Sequence, residues 1–178
     1  MRIVKPLPDN EFIRAYLVRL NQIHDKYGLL LLLGLETGLR ISDLLNLRVR
    51  DVAGAVLTVR EQKTGKHKRM SLSETLRNAV TIYCGKWKLS NRHALIFSTT
   101  LDKTKPLGRM QAYRVLAKTA LSLGLAGIGA HSMRKTYAQR VYRKTGSIKA
   151  VQTALNHKYP DTTLRYLADF QDLDKFIK

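Results

Sequence analysis

Apolar positions recur at helical spacing early in the chain: Phe12, Ile13, Tyr16, Leu17, Leu20 and Ile23 fall on one face of a predicted helix. Pro6 and Pro8 make residues 1–8 an extended lead-in, and Asp9 supplies the side-chain oxygen that a helix N-cap needs. A second helix runs through the leucine-rich stretch and stops near Gly38; a short third one carries Ile41, Leu44, Leu45 and Leu47. The period changes after Val52. AVLTVREQ shows β-branched alternation, KTGK is a turn, and HKRMSL returns as a second strand. Ser71 and Glu74 have the spacing of a capping box that opens a helix reaching about Trp87, and ALIFS is a further short apolar segment. Helices are then predicted near 108–123, 132–144, 148–156 and 161–168, with Gly124, Gly127 and Gly129 separating the first two. The pattern is mainly α with one small antiparallel β-sheet, an α+β fold.

Composition narrows the class. At 178 residues, 44% apolar and 25% charged, the chain has the size and make-up of one globular domain, 1–178. Its 32 Lys+Arg against 13 Asp+Glu give a net charge of +19, which favours a polyanionic partner through counterion release. Charge alone selects nucleic acid and no reaction. Cys84 is the sole cysteine, which excludes an internal disulfide framework and a cysteine-based zinc site. The run from Leu29 to Leu33 with Gly34 and Leu35 is too short to span a bilayer, and MRIVKPLPDNEF contains no secretory signal. The expected setting is cytoplasmic and DNA-associated, with no membrane.

The candidate chemistry is an ordered series. Arg40 lies in TGLRISDLLNL at a break between apolar helices, with Asp43 one turn on as a natural partner for its guanidinium. Its planar fork suits two hydrogen bonds to a phosphate, although an Arg–Asp pair pinning two helices explains it equally. Lys63 sits in the hairpin turn, where lysines are ordinarily just solvated; from there one can also reach a DNA groove and protonate a leaving oxygen, help worth about 10²–10⁴-fold. Lys66, Lys68 and Arg69 beside it read as contacts to backbone phosphates, as does Lys135. His131 and Arg134 share one face of a predicted helix start, a favourable place for a phosphate. The bland alternative is a histidine near an N-cap and an exposed arginine. His157 ends one helix, and Tyr166, nine residues on, rides on the next across a turn at Pro160. Tyr166 also fits as a core aromatic beside Leu164 and Leu167.

Taken together, Arg40, Lys63, His131-x-x-Arg134, His157 and Tyr166 resemble the catalytic domain of the tyrosine recombinases, the phage-integrase family. The resemblance extends over about residues 8–170 and includes the acidic residue three positions after Arg40. It departs at Asn156, where the family usually has glycine, at the turn KYPD, and at Ser132-Met133 after His131. No separate N-terminal core-binding domain fits, so the chain is either a short single-domain member or an excised catalytic domain.

The resemblance implies that Tyr166 attacks a scissile phosphate to give a 3′-phosphotyrosyl intermediate, without metal or other cofactor. Arg40, Arg134 and His157 would stabilise the non-bridging oxygens, Lys63 would protonate the departing 5′ oxygen, and His131 is the candidate for moving a proton. It further implies double-stranded DNA as substrate, a homotetramer on DNA, and accessory DNA-bending or directionality proteins. The tail, 167–178, is expected to dock either on a neighbouring protomer or on its own domain. Two other readings remain: a non-catalytic DNA-binding protein with a recombinase fold, and a type IB topoisomerase-like enzyme.

Overall fold

The computed structural model describes residues 4–157 and 159–167, apart from the side chains at 160, 161, 165 and 166. In chain order these residues form α1 (Asn10–Ile23), α2 (Asp25–Thr37), α3 (Ile41–Leu45), α4 (Val49–Val52), β1 (Val56–Arg60), β2 (His67–Ser71), α5 (Glu74–Lys86), α6 (Arg109–Ser122), α7 (Ala130–Thr145), α8 (Ile148–Ala154) and α9 (Pro160–Leu167). The fold is mostly helical with one two-stranded antiparallel sheet, in which Val56 pairs with Ser71 and Arg60 with His67.

The centre of the fold is α2. Its leucines face every direction and nearly all are buried, as a helix apolar all round requires. Helices α1, α5, α6 and α7 pack around it. Each fully buried leucine there, such as Leu30, Leu31 and Leu33, contributes about 1.5–3 kcal/mol relative to exposure. A second, smaller apolar cluster joins Ala138 and Tyr142 of α7, Val151 and Leu155 from the α8 region, and Leu167 of α9. That cluster docks the last described helix against α7 and α8.

Two glycines set the approach of α2 to α7. A Cβ at Gly34 would stand 2.5 Å from the Met133 sulfur, so only hydrogen lets the two helices lie this close. Gly38 ends α2 in the left-handed conformation, φ 59°, and a Cβ there would fall 2.2 Å from the Tyr137 ring. The chain therefore turns sharply beneath α7 just before Arg40.

Most predicted elements appear where the patterning puts them, with physical reasons for the differences. Asp9 caps α1, its carboxylate accepting from the Phe12 N–H at 2.7 Å. The cap of α5 is Ser73, whose hydroxyl accepts from the Leu76 N–H at 3.2 Å; Ser71 instead ends β2 opposite Val56. The short α4 was not expected; Asp51 accepts the Arg48 N–H at 2.8 Å and closes this turn locally. ALIFS does not extend the sheet but makes single bridges, Leu95 with Arg48 and Ser98 with Pro106, while Leu95, Ile96 and Phe97 fill the core. The lead-in is pinned rather than loose: the Leu7 N–H donates to the Thr136 hydroxyl at 2.8 Å and the Leu7 side chain is buried. From residue 168 onward the tail lies outside the described residues, and its docking with it.

Gly38→Ala is expected to lower stability by about 1–3 kcal/mol, through the left-handed backbone and the clash with Tyr137. Chemical denaturation of the two proteins measures this directly; a loss no greater than at an exposed helical site would contradict the packing described.

Candidate active site

Four segments converge on one cleft: the α2–α3 turn, the hairpin, the start of α7, and the α8–α9 turn. The cleft is about 530 Å³ and is lined by Arg40, Lys63, Thr64, Lys66, Asn156, His157, Tyr159 and Thr162. Arg134 lies behind it. Its side chain is 1% exposed, so it is no surface arginine. One guanidinium nitrogen donates to the Gly38 carbonyl; the other donates to the Leu155 carbonyl at 2.7 Å and lies 3.3 Å from His157 Nε2. A buried cation is tolerable only with such partners. Two residues further on along each segment stand the cleft's own Arg40 and His157.

Arg40 is the N-cap residue of α3. Its charge partner is Glu61 at 3.1 Å, not Asp43; the Asp43 carboxylate instead accepts the Gln62 N–H at 2.9 Å and braces the hairpin. The two carboxylates shift in opposite directions. Burial, with Glu61 nearby, raises Asp43 despite the Gln62 bond. Burial also works against ionised Glu61, but the Thr64 hydroxyl, Arg40 and Asn156 outweigh it and lower its pKa. Arg40 Nη1 makes no hydrogen bond among the described residues. Glu61 therefore offsets the charge of Arg40 through this buried Nη1 side of the guanidinium.

His157 is held at both ring nitrogens. A guanidinium can only donate, so in the neutral ring Nε2 accepts from Arg134. Nδ1 then carries the proton and donates to the Thr163 hydroxyl at 3.0 Å. Thr163 is fully buried on α9, three residues before Tyr166. Partial burial and then the charges of Arg134 and Arg40 push His157 down to about 4, so the ring is neutral near pH 7. His131, in the first turn of α7, is shifted the same way by desolvation, Arg134, Arg40 and Lys135. The backbone of Tyr166 belongs to α9, whereas its side chain lies outside the described residues.

The basic residues of the hairpin separate. Lys63, Lys66 and Arg69 are exposed, the first two on the cleft. Lys68 is not a phosphate contact: it points inward, is 8% exposed, and donates to the carbonyls of Thr37 at 2.7 Å and Ala154 at 2.8 Å. Lys135 is partly exposed on α7, one residue after Arg134. The departures from the family pattern also find local causes. Asn156 has φ 52°, a left-handed backbone that glycine or asparagine fills, and its amide donates to Glu61 at 3.3 Å. Ser132 accepts the Gly129 N–H at 3.0 Å and Met133 packs against Gly34. Glu61 and Thr163 are the partners that sequence reading missed. Their long-range contacts leave no local signature.

A sequence model of the phage integrase family matches residues 11–172. The chain is similar to a probable integrase/recombinase, YoeC, of Bacillus subtilis, at 34% identity over 97% of this chain and 93% of the relative. It is also similar to the tyrosine recombinase XerA of Pyrococcus horikoshii, at 28% identity over 93% of this chain and 58% of that one. Among solved structures, XerH bound to its difH substrate in a pre-cleavage complex aligns with a TM-score of 0.72 at 22% identity, over 96% of this chain and 54% of that one. A λ integrase dimer bound to a COC′ core site aligns at 0.71 and 22%, over 96% and 61%. The chain thus spans nearly all of YoeC but only about half to three-fifths of these others.

Because the folded His157 pKa lies below the unfolded value of about 6.5, the unfolded chain binds a proton that the folded chain refuses down to about 4. Stability should therefore fall as pH drops through that window. Thermal melts from pH 7 to 4.5 are expected to show the fall, and His157→Gln to flatten part of it. His24 and His131, shifted the same way, add to it.

Proposed function

The chain belongs to the phage integrase family, the tyrosine recombinases, and on that footing we propose that it cleaves and rejoins double-stranded DNA through Tyr166. The observation that carries this reading is the cleft in which Arg40, Lys63 and His157 meet, backed by Arg134, with α9 tied to His157 through Thr163. One phosphodiester fits a site where several fixed donors surround its oxygens, the arrangement that gains most from preorganisation. XerH and λ integrase, which share this fold, are described bound to their DNA sites.

In this reading the Tyr166 hydroxyl attacks the phosphorus in line, its proton passing to His131. The bond to the 5′ oxygen breaks, Lys63 protonates that oxygen, and a 3′-phosphotyrosyl link remains. The 5′-hydroxyl of a partner strand reverses the step on a new junction. Arg40, which lines the cleft, binds a non-bridging oxygen, and Arg134 and His157 stabilise the same charge. The neutral His157 ring, accepting from Arg134 at Nε2 and donating from Nδ1 to Thr163, keeps that guanidinium and α9 in register behind the phosphate. Lys66, Arg69 and Lys135 hold the backbone on either side. Four protomers on two duplexes, with accessory DNA-bending or directionality proteins, complete the exchange in a DNA-associated, cytoplasmic setting.

The test uses nicked suicide duplexes drawn from the DNA flanking the gene, resolved on a denaturing gel. Wild type should give a covalent protein–DNA band, and Tyr166→Phe none while binding the same duplexes. Tight binding without any band would favour the non-catalytic DNA binder. Relaxation of supercoils without strand exchange would favour the topoisomerase-like enzyme.

A further inference from the structure

Lys68 takes no part in the chemistry above, yet it is buried at the back of the same site. On β2 its neighbours His67 and Arg69 are exposed, while its own chain runs inward between α2, α7 and α8. The ammonium donates to the Thr37 carbonyl at 2.7 Å and the Ala154 carbonyl at 2.8 Å, and stands 5.2 Å over the Tyr137 ring. These carbonyls close the C-terminal ends of α2 and α8, where the last C=O groups lack helical partners and carry partial negative charge.

The significance lies in what comes next along each segment. Arg134 donates to Gly38 and Leu155, the residues that directly follow Thr37 and Ala154. Two cations, one from α7 and one from β2, thus fasten the same pair of chain segments at consecutive carbonyls. Two residues beyond each Arg134 contact stand Arg40 and His157. A lysine buried this far is costly, and the cost is visible: burial, then the charge of Arg134, lowers its pKa to about 8 against the pull of Glu61. An apolar side chain would fill the space without that cost, but would leave the buried Thr37 carbonyl and the part-buried Ala154 carbonyl without this donor.

We infer that Lys68 is a positioning residue for strand cleavage: it ties the end of α2 to the end of α8, so that Arg40 and His157 are held at one spacing before DNA arrives. This rests on the recombinase reading above, and its role in rate follows from the sensitivity of phosphoryl transfer to placement.

Two readouts test it, one of them independent of activity. In the protein without DNA, Lys68→Met should speed amide hydrogen exchange at Gly38, Leu39, Leu155 and His157 by about tenfold or more, because the clamp no longer resists local opening. The core variant Leu76→Ala, on α5, should not do so selectively. On the nicked flanking duplexes at saturating DNA, Lys68→Met should slow covalent-complex formation by about 10²-fold, and Lys68→Arg should recover much of the rate. Half-saturation and its salt dependence should stay as in wild type. If Lys68→Met does not fold, Lys68→Gln is read the same way, with a smaller loss. Unchanged exchange at those four amides overturns the clamp. So does wild-type cleavage combined with binding whose salt slope drops by about 0.9, the sign of a lost phosphate contact. If wild type itself forms no covalent complex on any duplex, the recombinase reading fails, and the exchange data alone decide whether Lys68 is a clamp.

Discussion

The structure depends on one buried guanidinium. Arg134 is almost wholly withdrawn from water, and a charge in that position must find fixed partners or disrupt the interior. Its partners are main-chain carbonyls of two segments remote in sequence, Gly38 and Leu155, together with the His157 ring. Meeting that requirement orders the α2–α3 turn and the α8–α9 turn against each other. The glycines at 34 and 38 serve the same end, since α7 must lie against α2 for the guanidinium to reach. Removing a partner from such a charge costs more than the bond itself, because the charge stays buried.

Around this centre the electrostatics are a balance of like charges held together before any substrate is present. Arg40, Lys68 and Arg134 cluster with Glu61 and Asp43, and burial, reinforced by Arg134 and Arg40, disfavours the charged forms of His131 and His157. Glu61 is central to this arrangement: it offsets Arg40, receives Thr64 from the hairpin and Asn156 from the α8–α9 turn, and so links three of the converging segments. A polyanion entering the cleft would replace part of this internal compensation. Preorganised cations that need no rearrangement are the condition under which electrostatic stabilisation of a phosphoryl transition state is largest.

Much of this was legible in the chain itself. The helical periods, the switch to alternation in the hairpin, the cap at Asp9 and the turn before Arg40 follow from local rules and appear in the fold. The order Arg40, Lys63, His131, Arg134, His157, Tyr166 pointed to the family by its resemblance to that family's motif, a mixture of residue types suited to a reacting phosphate. What failed locally failed for want of a neighbour. Ser71 has the spacing of a cap in sequence, but the β1 pairing takes it for the sheet and Ser73 caps α5. ALIFS is a short apolar segment whose local pattern does not say that it makes only single bridges and fills the core.

The sequence by itself determined the family resemblance and which stretches fold, since residue type and short-range spacing depend on little else. Only the tertiary structure decided which charges are buried and what they hold. Arg134 and Lys68 look like surface cations in sequence, and Asp43 looks like the partner of Arg40. Burial is a property of the packed whole: the long side chains reach carbonyls 96 and 86 residues away, and Glu61 on the hairpin displaces Asp43 as ion-pair partner. No local pattern encodes contacts at such separations, because they exist only after α2, α7, α8 and the hairpin have come together.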